Sequence, residues 1–143
     1  MKITIVATIK KPYLDKIRRG EKKWEVRKST PLCRGHGFAE NPFRVLCCES
    51  GSGGLIKAEF TVVAVVGFLI ISLLENPITS YEAEILRESC LTKEQVLKYA
   101  GVNAGLDFWE IHNMIDYVAE NRVRNISEVG LTRPPQSWQY VKE

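Results

Sequence analysis

The sequence contains few of the residues that build metal centres or disulfide frameworks. Its 143 residues include four cysteines and two histidines, and no two cysteines have C-x-x-C spacing. The nearest metal-like pair is Cys33 with His36, whereas a structural zinc site needs four ligands. Disulfide frameworks are typical of small secreted chains. We therefore expect free thiols, no bound metal and no cofactor.

The sequence also lacks a long apolar run. Its most apolar stretch, residues 60–74, is too short to span a membrane and is interrupted by a threonine, a glycine and a serine. Residues 1–5 alternate like a strand and lack the layout of a signal peptide. We therefore predict a cytoplasmic protein with no membrane partner. The length fits a single domain over residues 1–143.

Apolar periodicity predicts about six strands. Adjacent Cys47 and Cys48 should point to opposite faces of one of them. Gly67 lies inside a long strand and predicts a bulge or a bend, which a closing barrel would use. The strands favoured by alternation in the first half cover residues 3–9, 24–27, 43–49 and 55–71, with a glycine-rich hairpin at 50–54.

Two capping boxes predict helices in the second half. One begins at Thr79 and the other at Thr92, and the helices should end near residues 88 and 101. Residues 109–118 fit either a helix or a strand. Two prolines exclude a helix in the tail, where residues 138–141 could form an edge strand. Hairpins combined with a helix at one end indicate an α+β fold: a mixed β-barrel of about six strands with two or three flanking helices.

Positive charge is concentrated in one segment. Residues 10–28 contain nine Lys or Arg and three acids, a net charge of +6, although the whole chain carries +3. Concentrated charge indicates an anionic partner. Residues 10–19 read as a basic helix that could follow a nucleic-acid backbone. The alternative is a solvated helix face without a partner. The candidate backbone contacts on this helix are Lys11, Lys16, Arg18 and Arg19.

A pattern of fixed spacing follows this helix in the sequence: Gly20, Lys22, Glu25 and Arg27. Gly20 permits the positive φ that ends the helix. Glu25 and Arg27 share one face of a strand, about 6–7 Å apart, so Trp24 should face the core. Lys22 joins the charged face only if it lies in the turn or beside a bulge.

These side chains have three open interpretations. Arg27 and Lys22 could hold a phosphate or a base edge, and Glu25 could accept a hydrogen bond from an exocyclic amine. Glu25 could instead act as a general base if its pKa is raised, and a desolvated Lys22 could act as a base or nucleophile. A Glu25–Arg27 surface ion pair, worth at most about 1 kcal/mol, is the structural alternative.

The pattern Gly20-x-Lys22-x-x-Glu25-x-Arg27 matches the G-x-K-x-x-E-x-R motif of the ASCH domain family. Residues 9–13 and 133–138 also resemble that family, in particular its small bacterial and phage members. The resemblance implies a PUA-like β-barrel with a cleft beside the motif, and it favours a strand over residues 109–117.

The resemblance also implies a function. Most ASCH members are regarded as RNA-binding or nucleotide-binding modules, and some are hydrolases acting on RNA or on an acylated cytidine. The acyl-cytidine branch uses a lysine, a threonine and a glutamate. Lys22 matches the lysine, Glu25 stands where the threonine belongs, and Glu94 is a weak candidate for the carboxylate. This departure argues against the amidohydrolase activity.

We therefore predict a nucleic-acid-binding or nucleotide-binding domain with a basic cleft beside the motif, single-stranded RNA being the first candidate partner. The alternative is a metal-independent hydrolase, a ribonuclease or a modified-nucleoside amidohydrolase, in which Lys22 and Glu25 form the acid/base pair and Arg27 stabilises negative charge. A third hypothesis is an interaction protein that kept the fold and lost the site. The predicted binding residues are Lys10, Lys11, Tyr13, Arg19, Gly20, Lys22, Glu25, Arg27 and Lys28.

Overall fold

A computed structural model describes residues 3–31, 42–75 and 78–141 of the chain. The strands are β1 (Ile3–Ile9), β2 (Trp24–Arg27), β3 (Phe43–Glu49), β4 (Leu55–Leu69), β5 (Gly105–Asp116), β6 (Arg124–Asn125) and β7 (Trp138–Tyr140). The helices are α1 (Lys11–Arg18), α2 (Ile70–Leu74), α3 (Ser80–Ser89) and α4 (Lys93–Ala100), with a 3-10 helix at Ile126–Val129.

The strands form one mixed sheet that curls into a half-barrel. Its main path runs β2-β5-β4-β3-β1-β7, and the two-residue β6 pairs with β4. β1 and β3 are parallel, and the other neighbours are antiparallel. Among the residues that the structure describes, three helices have eight residues or more. The predicted α+β fold with a mixed, barrel-like sheet is therefore confirmed.

The two edge strands of the half-barrel are linked through side chains. Arg27 Nη1 donates to the carbonyl oxygen and the hydroxyl of Ser137 at 3.1 and 3.2 Å, just before β7 begins. The Trp138 indole donates to the Ser29 carbonyl at 3.1 Å. Side-chain hydrogen bonds therefore connect the end of β2 to the start of β7.

Several local predictions are confirmed. Gly20 has φ +76° and reverses the chain after α1, and Leu14 and Ile17 bury the inner face of that helix. Capping boxes at Thr79 and Thr92 open α3 and α4. Residues 109–116 continue a strand, as the resemblance favoured, and residues 138–140 form an edge strand.

The core has two faces because the sheet is covered on both sides. Cys47 packs on one face with α1 and Trp109, whereas Cys48 packs on the opposite face with Tyr117 and Ile126. The opposite orientation of these two cysteines is confirmed. A further apolar cluster joins β2 to helices α2, α3 and α4 and includes Trp24.

Two details of the predicted strands are wrong. Gly67 pairs with Asp107 in continuous register, and the register shifts of β4 against β5 lie earlier, between Glu59 and Val65. These shifts begin in the part of β4 that pairs with both β3 and β5. The long strand ends at Leu69, because Ile70 already begins α2.

The remaining chemical expectations concern metals and membranes. Cys33 and His36, the metal-like pair, lie outside the described residues. Cys47, Cys48 and Cys90 are free thiols. Within residues 3–31, 42–75 and 78–141, no group of three His, Cys, Asp or Glu side chains is arranged to hold a metal ion. No helix in this part of the chain is long and apolar enough to cross a bilayer.

Candidate functional site

Lys22 lies in the turn between α1 and β2. The backbone amides of Glu21 and Lys22 both donate to the Lys16 carbonyl, at 2.9 and 3.1 Å, which fixes the turn after Gly20. The Lys22 ammonium donates to the Ser89 carbonyl at 2.5 Å and lies 3.7 Å from Glu25 Oε1. The turn position therefore brings Lys22 to the carboxylate, which was the condition for it to join the charged group.

Glu25 and Arg27 form an ion pair inside the molecule. Arg27 Nη2 and Nε donate to Glu25 Oε2 at 2.6 and 3.1 Å. Lys22, Glu25 and Arg27 are only 2%, 6% and 7% exposed, so the surface-pair interpretation does not describe them. The opposite face of β2 is buried through Trp24, as predicted, and through Val26.

Arg27 uses all five of its N–H donors within the chain. Two donors go to Glu25 Oε2 and one goes to the Ser137 hydroxyl. The other two go to the Ser137 carbonyl at 3.1 Å and to the Thr8 carbonyl at 3.0 Å. Its guanidinium carbon lies 6.0 Å from the ring centre of Trp109. Arg27 therefore fixes the position of Glu25 and joins β2 to β1 and to the segment before β7.

Burial and charge act against each other in this buried cluster of Lys22, Glu25 and Arg27. Burial lowers the pKa of Lys22, and the neighbouring Glu25 carboxylate opposes this only in part. Burial would raise the pKa of Glu25, but Arg27 and Lys22 outweigh it and hold the pKa below its ordinary value. Glu25 therefore stays ionised, and the condition under which it would serve as a general base is not met.

Internal ion pairs reduce the free positive charge of the basic segment. Asp15 accepts from Lys11 at 2.9 Å and from Arg18 at 3.4 Å, and Arg18 also reaches Asp116 at 3.0 Å. Arg19 pairs with Glu21 at 2.5 Å.

Three lysines of this segment remain without a carboxylate partner among the described residues, and they lie at or near the surface: Lys10, Lys16 and Lys28.

The other candidate residues are placed around the cluster. The half-buried ring of Tyr13 lies 5.2 Å from Lys22 Nζ. Glu94 is exposed in the first turn of α4, so the carboxylate that contacts Lys22 is Glu25. Lys28 is exposed, and its ammonium lies 5.0 Å from the ring centre of Tyr99 on α4. The individual binding roles of these residues stay predictions.

Sequence reasoning missed the groups that hold the cluster in place. Thr8, Ser89 and Ser137 contact Lys22 or Arg27 across sequence separations of 19, 67 and 110 residues. No local pattern marks such contacts, and two of the three use backbone carbonyls alone. Tyr99 was also missed. Its only sequence signal is a large aromatic residue beside the end of a helix.

No family model matches the sequence, and no curated protein matches it. Solved structures do match. The ASCH protein from Zymomonas mobilis superposes with a TM-score of 0.68 at 16% identity, covering 98% of this chain and 88% of that chain. Two single-residue mutants of that protein give the same TM-score at 15% and 16% identity, with the same coverage of this chain and 89% and 91% of theirs. The chain therefore has the fold of the ASCH proteins.

Proposed function

We propose that this protein binds single-stranded RNA on the surface around the buried Lys22–Glu25–Arg27 cluster. The observation that carries the proposal is the burial of three charged side chains beside a surface that carries lysines. A buried ion cluster is weak evidence for stability, since its desolvation offsets most of the attraction between the charges. Such clusters and their shifted pKa values are enriched at functional sites.

The proposed interface separates two tasks, contact with phosphates and contact with a base. Lys10, Lys16 and Lys28 contact phosphates, because their ammonium groups have no carboxylate partner in the described structure. Lys11 and Arg19 can join them, since exchanging a surface ion pair for a phosphate costs little.

The buried cluster forms the base-facing part of the proposed interface. Glu25 accepts a hydrogen bond from an exocyclic amine, as acidic side chains do in base recognition. Arg27 contacts a phosphate only if it exchanges a donor now used on Thr8 or Ser137. Its main proposed role is therefore to hold Glu25 in place.

One observation favours a second candidate function, metal-independent hydrolysis of RNA or of a modified nucleoside. The lowered pKa of Lys22 increases the fraction of neutral amine near physiological pH, which is the form that accepts a proton. Lys22 would be the base in this reaction, and the ionised Glu25, 3.7 Å away, would orient it and stabilise its protonated form.

One experiment tests both candidates. Labelled single-stranded RNA is incubated with wild type, Lys22→Ala and the control Lys57→Ala, then run on native and denaturing gels in parallel. Lys57 pairs with Glu49 at 3.1 Å, so the control also removes a lysine from a lysine–glutamate pair. Circular dichroism verifies that each variant is folded.

We expect intact RNA whose shift is lost with added salt and is weakened in Lys22→Ala but not in Lys57→Ala. RNA shortened by wild type and Lys57→Ala, but not by Lys22→Ala, would establish the hydrolase instead. If wild type changes neither gel, the RNA proposal is wrong.

A further inference from the structure

Lys28 and Tyr99 form an exposed pair at the end of β2. Four cation–π pairs occur among the residues that the structure describes, and three of them include at least one buried partner: Lys22 with Tyr13, Arg27 with Trp109, and Arg122 with Tyr117. In the fourth, the Lys28 ammonium lies 5.0 Å from the ring centre of Tyr99, and both residues are exposed, Tyr99 by 38%.

This pair adjoins the buried cluster. Lys28 directly follows Arg27, the last residue of β2. Burial raises the pKa of the Tyr99 phenol, and the Arg27 guanidinium and the Lys28 backbone amide oppose this, which places the phenol near the end of β2. Tyr99 belongs to the last turn of α4, which packs through Val96 and Ala100. The packed helix α4 therefore presents the ring beside the site.

We infer that Tyr99 is a base-stacking platform and that Lys28 is the phosphate contact of the same nucleotide. This inference rests on the proposed RNA binding and names the part of the ligand that each residue takes. An exposed aromatic ring beside a cation is the combination with which proteins hold single-stranded nucleic acid. On binding, a base replaces the Lys28 ammonium over the ring, and the ammonium moves to the adjacent phosphate.

Tyr99 is better placed for stacking than the other tyrosines near the motif or on the helices. Tyr13 is half-buried and its ring already lies near the buried Lys22 ammonium. Tyr81 is more exposed, at 62%, but it lies in the first turn of α3, whereas the Trp24 indole of β2 donates to Glu88 at the other end of that helix. Tyr81 therefore serves as the matched control for a tyrosine on a helix surface.

The test measures the affinity of three probes for four proteins by fluorescence anisotropy. The probes are a labelled 12-nucleotide oligo(A), a labelled oligo(U) of equal length, and an abasic ribose-phosphate oligomer. The proteins are wild type, Tyr99→Leu, Tyr99→Phe and Tyr81→Leu. Lys28→Gln is then titrated against oligo(A) at several salt concentrations.

We expect Tyr99→Leu to weaken oligo(A) binding about tenfold, the usual effect of removing one stacking side chain. The abasic oligomer should be unaffected by this change. Tyr99→Phe, which keeps the ring, and Tyr81→Leu should bind within about twofold of wild type. Lys28→Gln should reduce the salt slope by about 0.7, the value for one phosphate on a single strand.

One result overturns the inference without touching the RNA proposal: wild type binds oligo(A), and Tyr99→Leu binds it as tightly as Tyr81→Leu does. An equal loss for oligo(A) and the abasic oligomer would also overturn it, because the ring would then act on the backbone or on folding rather than on a base. No binding of any probe by wild type would overturn the RNA proposal and the stacking role with it.

Discussion

Replacing Arg27 by methionine tests whether the buried ion pair holds the half-barrel together. Methionine keeps much of the side-chain volume and removes every donor. The change leaves Glu25 without its closest cation and removes the Arg27 donors from the Thr8 and Ser137 carbonyls, although the Ser137 carbonyl keeps the Thr8 backbone amide at 3.0 Å. Removing one partner of a buried pair costs about 3–5 kcal/mol, because the remaining charge stays buried. Lys22 remains 3.7 Å from Glu25 Oε1 but cannot replace the two hydrogen bonds from Arg27.

The matched control is Arg87→Met. Arg87 pairs with Glu84 on the exposed face of α3, so the same substitution removes an arginine–glutamate pair at the surface. Such a pair contributes about 0.3–0.5 kcal/mol. The free energy of unfolding of a domain is about 5–15 kcal/mol, so a loss of the expected size in Arg27→Met can be measured without abolishing the fold.

Urea denaturation followed by tryptophan fluorescence measures both variants. We expect Arg27→Met to lose several kcal/mol and Arg87→Met to remain near wild type. The loss should grow with pH, because Arg27 no longer lowers the pKa of Glu25, and an ionised carboxylate without that partner opposes folding. Adding Glu25→Leu to Arg27→Met should recover part of the stability. A loss in Arg27→Met below about 1 kcal/mol, equal to that in Arg87→Met, would refute the reasoning.

Two further predictions follow from the same cluster and from the cysteines. The pKa of Glu25 is lowered in the folded state, so the contribution of its carboxylate to stability is fully present above the ordinary pKa and is lost as the pH falls through the lowered pKa. The difference in urea midpoint between wild type and Glu25→Gln should therefore shrink from pH 7 to pH 3. A constant difference would contradict this. In a Cys33→Ser variant, half-exposed Cys90 should react first with an aromatic disulfide reagent, whereas burial protects Cys47 and Cys48 and raises their pKa. Mass spectrometry after short incubations checks the order, and labelling of Cys47 in the native protein would contradict it.

The sequence predicted most of the fold because its elements carry local signals. The capping boxes at Thr79 and Thr92, the glycine at position 20 and the alternation in β1 each depend on residues within one turn or one strand. The bend of β4 lacked such a signal. Gly67 was the apparent marker, yet the register shifts lie between Glu59 and Val65, where no glycine occurs.

The candidate site was predicted only in part, for a similar reason. Spacing along the strand placed Glu25 and Arg27 on one face, and this arrangement was found. Spacing could not reveal that this face is interior. Its burial depends on the curl of the sheet, which brings Ser137 and Thr8 to the guanidinium from distant parts of the chain.

The burial of the motif separates two roles that its short sequence combines. Arg27 joins β2 to β1 and to the segment before β7, so its removal disturbs the half-barrel itself. Lys22 makes its hydrogen bond to one carbonyl at the end of α3, and burial already disfavours its charge. Lys22→Ala should therefore cost less stability than Arg27→Met. A loss of RNA binding or cleavage in a folded Lys22→Ala variant then concerns the site, whereas a loss in Arg27→Met concerns the site and the fold together.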